Sequence, residues 1–284
     1  MKVAISGSNG FVGTKVARLF ALKGHEVIPV ARESFLLDAS ELAKALRGAE
    51  VIIHLAGAPI LKRWTKKYRQ EIYDSRVMTT RRLTDAMRFM DPVPHTFICA
   101  SAVGIYPDTG AHDEQSQAIS DGFLGKVCRD WEAMAARAPA GCRTLMFRFG
   151  IILGNDGGAL KQMLLPFRLG AGGRIASGRQ KMSWVHIEDV LGAMAFVLDR
   201  PNIRGPVNIT APAPVTNAVF TKTLAKTLRR PALLPLPSFL LQIPFGKAAS
   251  VLTGGQVALP SKLEVNRYRF RFPDIEGALR DLLR

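Results

Sequence analysis

The chain has 284 residues, of which 48% are hydrophobic and 22% are charged, a balance that is typical of a globular protein and excludes a disordered one. Its 39 Lys and Arg residues outnumber 23 Asp and Glu residues, and the resulting net charge of +16 favours anionic partners. The basic residues are scattered and no nucleic-acid-binding motif accompanies them, so no nucleic acid is expected among the partners. Three cysteines without metal-ligand spacing suit a cytoplasmic protein that holds no metal, and neither a secretory leader nor a membrane-spanning segment is predicted.

Apolar segments of strand length alternate with helical segments through the first two thirds of the chain. The predicted strands are VAIS (3–6), VIPVA (27–31), VIIHLAG (51–57), TFICAS (96–101), RTLMFRFG (143–150) and GPVNIT (205–210). The predicted helices cover residues 10–23, 40–48, 65–90 and 217–230, and Thr65 is the expected N-cap of the third. This alternation predicts the α/β fold class, with a Rossmann-type, doubly wound parallel sheet covered by helices on both faces.

The composition changes near residue 231, where the Pro- and Leu-rich segment PALLPLPSFLLQIPFG begins. A Gly-Gly turn at 254–255 and two short terminal helices are expected to follow. We therefore predict a Rossmann domain over residues 1–230 and a small, mainly helical C-terminal cap over residues 231–284.

The first predicted strand continues directly into a glycine-rich elbow, GSNGFVG (7–13), which opens a helix. In this context the first glycine permits a tight turn, the second lets backbone approach a pyrophosphate, and the third lets the helix pack on the sheet. Free N–H groups at the helix start then face the phosphates. The predicted dinucleotide-binding residues of the elbow are Gly7, Ser8, Asn9, Gly10, Phe11, Val12 and Gly13.

The end of the second strand predicts which dinucleotide is bound. An acidic residue there would bond the ribose 2′-hydroxyl of NAD, but this strand ends in Ala31 and Arg32. A guanidinium pairs with a 2′-phosphate, which a carboxylate would repel. The sequence therefore predicts NADP(H), with one open alternative: a shift in alignment would place Glu33 at the acidic position.

Several motifs together resemble the extended, epimerase/dehydratase-like branch of the short-chain dehydrogenase/reductases. They are GSNGFVG (7–13), HLAGAP (54–59), SAVGIYP (101–107) and SWVHIEDV (183–190). Further segments resemble a subgroup usually called epimerase-family proteins, which end in a small domain of unassigned role. Those segments are APILKRWTKKYRQEIYDSRV (58–77), GKVCRDWE (125–132), NDGGALKQMLLPFRLGAGGRIASGRQ (155–180) and GGQVALPSKL (254–263).

The resemblance implies that NADP(H) lies along the elbow and Arg32, with nicotinamide contacts from Leu55, Ala56, Gly57 and Ala58. It also implies that Ser101 orients a substrate carbonyl and that the loop after FRFGIILG (147–154) closes over the nicotinamide. An inserted segment, residues 155–190, would shape the substrate pocket together with the C-terminal cap. A homodimer is common in the superfamily and is compatible with these features.

Members of the superfamily usually use a Tyr four residues before a Lys for proton transfer. Lys126 occupies the lysine position here, whereas Gly122 occupies the tyrosine position and has no proton to transfer. Tyr106 is the best candidate to act as the acid instead. The alternative is that Tyr106 has a structural role and packs under its loop. The other candidates on that loop are Asp108, His112, Asp113 and Glu114.

Other polar residues are predicted to have structural roles or a role in substrate binding. His54 is expected to pack in the core, and Asp189 to cap a helix. Arg168, Arg174 and Arg179 would suit an anionic substrate if they converge.

Three interpretations of function remain open. The first is an NADP(H)-dependent oxidoreductase or epimerase-like enzyme that uses Ser101, Tyr106 and Lys126. Its substrate would be a small carbonyl or sugar-like compound, either neutral or anionic. The second is an NADP(H)-binding sensor or regulatory protein without turnover, which Gly122 favours. The third is a basic nucleic-acid binder, which only the net charge supports.

Overall fold

The computed structural model describes residues 1–284, and its centre is a parallel sheet of six strands. The strands of the chain are β1 (Lys2–Ser6), β2 (Glu26–Val30), β3 (Val51–His54), β4 (Thr96–Ala102), β5 (Ala111–His112), β6 (Arg143–Phe149), β7 (Ile151–Leu153), β8 (Lys181–Met182), β9 (Trp184–His186), β10 (Gly205–Ile209), β11 (Val215–Thr216) and β12 (Val257–Ala258). The six central strands lie in the order β10-β6-β4-β3-β1-β2, and every neighbouring pair is parallel. The predicted Rossmann-type sheet is confirmed.

Helices cover both faces of this sheet. They are α1 (Phe11–Leu22), α2 (Ala39–Ala45), α3 (Lys66–Tyr73), α4 (Thr79–Met87), α5 (Phe123–Ala135), α6 (Gly158–Arg168), α7 (Ile187–Leu198), α8 (Asn217–Leu228), α9 (Ser238–Phe245), α10 (Ser250–Thr253), α11 (Ser261–Val265) and α12 (Ile275–Leu282). The predicted cap Thr65 does begin α3, since its hydroxyl accepts from the backbone N–H of Tyr68 at 3.1 Å. The long helix expected over 65–90 runs without a break from Lys66 to Met87, as α3, a π-helical turn at Asp74–Met78 and α4.

The alternation of side chains along each strand divides the core into two layers. Val3 and Ile5 of β1 belong to the larger apolar cluster, beneath α1, α7 and α8, whereas Ala4 faces the smaller cluster beneath α2, α4 and α5. Burial on both faces explains why these strands are continuously apolar rather than alternating.

The C-terminal region packs against the Rossmann core. The predicted terminal helices are present as α11 and α12, and α12 contributes Ile275 and Leu279 to the larger apolar cluster. Asp189 of α7 also binds this region, because its carboxylate accepts from the backbone N–H groups of Arg271 and Phe272. The expectation that Asp189 caps α7 is wrong, since His186 occupies the N-cap and accepts from the N–H of Glu188. The domain division at residue 231 stays a prediction.

None of the helices combines the length and the apolar character that a membrane crossing needs.

Candidate functional site

The glycine elbow between β1 and α1 is closed by backbone-to-backbone packing. Gly7 has a φ of +73°, and a Cβ on it would lie 2.9 Å from the backbone of Leu55 and Ala56. A Cβ on Gly13 would lie only 2.0 Å from the carbonyl oxygen of Gly7. Gly10 is less constrained, with the nearest atom at 3.2 Å, and serves as the N-cap of α1. Only glycine satisfies the first and third positions of this motif.

The first turn of α1 is suited to an anion. Gly10 supplies no side-chain cap and the turn contains no acidic residue, so its N–H groups lack a protein side chain to accept from them. These donors, together with the helix dipole, favour a phosphate. The loop after β7 lies against this turn, because a Cβ on Gly154 or Gly157 would overlap the ring of Phe11. An ion pair at 2.7 Å between Lys15 and Asp156 holds the loop there.

Arg32 follows β2 and is exposed, immediately before a 3₁₀ turn at Glu33–Leu36. Its guanidinium has no carboxylate partner among the ion pairs of the chain. Glu33 is exposed as well, whereas the nearby carboxylate of Asp38 is occupied by the N–H groups of Ser40 and Glu41. The tip of β2 thus presents a free cation beside the elbow.

Four side chains from the segment 64–76 bind the backbone of the loop after β3. Ser75 accepts from the N–H of Ala58 at 3.0 Å, and Arg76 donates to its carbonyl oxygen at 2.9 Å. Tyr68 donates to the carbonyl oxygen of Pro59, and the indole N–H of Trp64 to that of Ile60. These hydrogen bonds hold in place the loop after β3, which packs against Gly7 through Leu55 and Ala56.

Ser101 lies inside the protein rather than in an open site. It shares its register position with Arg148 on β6, and both side chains point toward Glu132 of α5. Ser101 is 2% exposed, and its hydroxyl donates to Glu132 at 2.6 Å. Glu132 also accepts two bonds from Arg148, at 2.7 and 2.8 Å. The predicted role of Ser101 in orienting a substrate does not agree with this placement.

Tyr106 belongs to the same buried network. Its hydroxyl accepts from Arg148 at 2.7 Å and lies 2.9 Å from Oδ1 of Asn208. Burial raises the pKa of Tyr106, and the neighbouring charge of Arg148 only partly opposes that shift. This geometry agrees with the alternative of a packed tyrosine, and the role of Tyr106 as catalytic acid stays a prediction.

The remaining proton-transfer candidates on this loop also have protein partners. His112 stacks on Tyr106 with ring centroids 5.1 Å apart, and Asp108 accepts from Gln256 at 2.6 Å. Glu114 accepts from the backbone N–H groups of Asn208 and Lys262, and burial raises its pKa.

Helix α5 does not present Gly122 and Lys126 to the end of β4. Gly122 is the N-cap, and the ammonium of Lys126 is 60% exposed, 3.1 Å from Asp130. The pair on the inner face is Leu124 and Cys128. Leu124 lies 3.7 Å from the position of a Cβ on Gly104, and Cys128 packs with Val103 and Tyr106.

The assignment of Lys126 to the superfamily's lysine position therefore does not agree with the structure. The sequence offered a signal for the correct face: Cys128, Trp131 and Ala135 follow helical spacing, and Lys126 lies off that stripe. Burial raises the pKa of Cys128, so its thiol stays neutral.

A cleft of about 810 Å³ lies between the segment after β3, the start of α5 and the C-terminal helices. Trp64 and Phe123 meet edge to face at 5.2 Å, and the guanidinium of Arg69 lies 4.3 Å above the Phe123 ring. Lys247 adds a second cation, and no carboxylate lines the cleft. Arg168, Arg174 and Arg179 are exposed and are absent from its walls, so they do not converge on it.

His54 is fully buried, as predicted for a core residue, and contacts Ser6 and Thr79. Burial lowers its pKa to about 3. No group of three or more His, Cys, Asp or Glu side chains in the structure could hold a metal ion.

The chain was compared with known protein families, sequences and structures. The family model described as the NAD dependent epimerase/dehydratase family matches residues 3–210, and a domain of unknown function, DUF1731, matches residues 236–282. Epimerase family protein SDR39U1 of Mus musculus is 37% identical over 100% of both chains. Epimerase family protein YfhF of Bacillus subtilis is 35% identical over 100% of this chain and 98% of the relative. The crystal structure of human epimerase family protein SDR39U1 with NADPH matches with a TM-score of 0.92 and 35% identity, over 99% of each chain.

Proposed function

Because the chain belongs to the NAD dependent epimerase/dehydratase family, we propose that it is an NADP(H)-dependent oxidoreductase that acts on a small anionic compound. The observation that supports NADP(H) as the cofactor most directly is the unpaired guanidinium of Arg32 beside an elbow whose helix start is free of acidic side chains. The human relative whose structure includes NADPH supports the same choice of cofactor.

The residues at the sheet edge fit a phosphorylated dinucleotide. The N–H groups of the first α1 turn would bind the pyrophosphate, and Arg32 would pair with the 2′-phosphate. The fixed loop Leu55–Ala58 would orient the nicotinamide end. When bound, NADPH supplies a hydride.

The cleft supports the choice of an anionic substrate. Arg69 and Lys247 offer positive charge that no carboxylate in the walls neutralises, while Trp64 and Phe123 offer apolar ring surfaces. Since Arg32 lies on the β2 flank, a dinucleotide that starts there and crosses the elbow reaches toward β3 and β4. The segment that continues from the β3 loop forms one wall of the cleft, so the two sites adjoin.

A second candidate is an NADP(H)-binding sensor without turnover. The observation that favours it is the inner face of α5, where Leu124 and Cys128 replace a proton-transferring pair. The occupied hydroxyls of Ser101 and Tyr106 favour it as well. We further propose a reducing compartment such as the cytoplasm, which suits three free cysteines.

The experiment that separates the two candidates follows NADPH oxidation with a panel of carboxylated and phosphorylated carbonyl compounds. An oxidoreductase oxidises NADPH with at least one of them, and the variant Arg69→Met raises KM for that compound about tenfold, the value of one charge-assisted hydrogen bond. Arg47→Met, an exposed arginine after α2, is the matched control. Tight NADPH binding without oxidation by any compound supports the sensor instead.

A further inference from the structure

Arg76 lies in the π-helical turn at Asp74–Met78, between α3 and α4. Such turns are rare within helices and often occur at functional sites. From this turn the side chains of Ser75 and Arg76 reach the same residue of the β3 loop, so that both the N–H and the carbonyl oxygen of Ala58 are bound.

The guanidinium of Arg76 has no counter-charge. Its other contacts are weak, at 3.3 Å to the carbonyl oxygen of Ile72 and 3.4 Å to the hydroxyl of Ser75, and it forms no ion pair with any carboxylate. It lies 5.5 Å from the centre of the Trp131 ring and against Gly57, where a Cβ would approach its Cζ to 3.0 Å. A largely buried arginine is normally paired, because desolvating a lone cation is costly.

The charge of Arg76 lies beside helix α5. The guanidinium of Arg76 lies 5.5 Å from the centre of the Trp131 ring on α5, three residues along that helix from Cys128. The inner face of α5 presents Leu124 and Cys128 and no cation, while Arg76 brings a cation beside this helix from the neighbouring helical segment. Residues 57 and 58, which the guanidinium contacts, follow β3 on the flank of the elbow opposite Arg32.

We infer that Arg76 is the fixed cation at the nicotinamide end of the cofactor site and that it makes the protein favour the reduced cofactor over the oxidised one. The inference rests on the proposed binding of NADP(H). The nicotinamide ring of NADP⁺ is positively charged and that of NADPH is neutral, so a nearby guanidinium repels only the oxidised form. Arg76 is a positioning residue as well, through its bond to Ala58.

The test measures the dissociation constants of NADPH and NADP⁺ for the unaltered chain and for Arg76→Met. We expect the unaltered chain to bind NADPH at least about tenfold more tightly than NADP⁺, and Arg76→Met to lower that ratio about tenfold, the effect of one unit charge several ångströms away in a partly screened site. Arg76→Lys retains the charge, and Ser75→Ala removes only the hydrogen bond to the N–H of Ala58. Both are expected to weaken the two ligands alike and to leave the ratio within about twofold of the parent value. Arg81→Met, exposed on α4 and paired with Asp85, is the control.

An unchanged ratio in a folded Arg76→Met variant would overturn the inference and leave Arg76 with a purely structural role. If that variant does not fold, the unaltered chain decides, because equal affinities for NADPH and NADP⁺ exclude a repelling cation. Absence of NADPH binding by the unaltered chain would instead overturn the proposed function itself.

Discussion

The two halves of the sheet edge differ in how closely they match a typical dinucleotide-binding fold. On the β1–β2 side, the glycine elbow, the uncapped start of α1 and the free Arg32 have the arrangement that a phosphorylated dinucleotide requires. On the β4–α5 side, the hydroxyls of Ser101 and Tyr106 are held in a buried ionic network, and the inner face of α5 ends in Leu124 and Cys128. Cofactor binding depends on backbone geometry and charge, whereas proton transfer depends on individual side chains, and only the first set is present in its usual form.

The largest expected effect concerns the network that replaces an open catalytic site. Glu132→Gln leaves the buried guanidinium of Arg148 without a counter-charge, so the free energy of unfolding should fall by about 3–5 kcal/mol in urea denaturation. Asp130→Asn, on the same helix but at a more exposed ion pair with Lys126, should cost no more than about 1 kcal/mol. Similar losses in both variants would show that the buried network is not a main stabilising element.

The next effect separates two glycines of the elbow. Gly13→Ala forces the start of α1 away from Gly7, and overpacking of this kind costs about 1–3 kcal/mol in unfolding free energy. Gly10→Ala meets its nearest atom at 3.2 Å and should cost much less stability, yet its methyl group would obstruct a phosphate. NADPH titration and urea denaturation of both variants check this difference. A Gly10→Ala variant with parental NADPH affinity would contradict the placement of the pyrophosphate.

Tyr106→Phe tests whether this tyrosine is structural. Loss of the hydroxyl leaves Nη1 of Arg148 and Oδ1 of Asn208 without that partner, at a cost of about 1–3 kcal/mol. NADPH affinity and any turnover should remain near the parental values. Loss of turnover without loss of stability would restore Tyr106 as a catalytic acid.

The effect that is smallest at neutral pH is the pH dependence from His54. Burial lowers its pKa from 6.5 to about 3, so the folded protein keeps the imidazole neutral while the unfolded chain takes up a proton. Between those two values the unfolded state binds more protons, and stability should fall by up to about 1.4 kcal/mol for each pH unit below 6.5. Urea denaturation of the parent and His54→Gln at about pH 7, 6 and 5 isolates this contribution, since the variant should lose it. Equal slopes would contradict it.

The sequence was sufficient for features that depend on short-range patterns. The glycine spacing predicted an elbow whose closest contacts are between backbone atoms, and the apolar runs predicted all six central strands within a few residues. Arg32 could be assigned because it directly follows a predicted strand.

The sequence was insufficient for features that depend on which face a residue occupies. Phe97, Cys99 and Ser101 are every second residue of β4, so their side chains lie on the same face of the sheet. Phe97 and Cys99 belong to the core cluster beneath α5, which places Ser101 on that buried face as well. Its partner could not be predicted, because Glu132 and Arg148 lie on different elements and meet only after folding. On α5 a two-residue difference in alignment separated Lys126 from Cys128, and the helical spacing of Cys128, Trp131 and Ala135 was the sequence signal that favoured Cys128.

The central claim is tested most directly by titrating the purified chain with NADPH and with NADH, in parallel with the variant Arg32→Ala. The account predicts that the chain binds NADPH about 10 to 100 times more tightly than NADH, the value of charge-assisted bonds to one phosphate, and that Arg32→Ala largely abolishes the difference. Equal affinity of the unaltered chain for the two dinucleotides, or binding of neither, would contradict it.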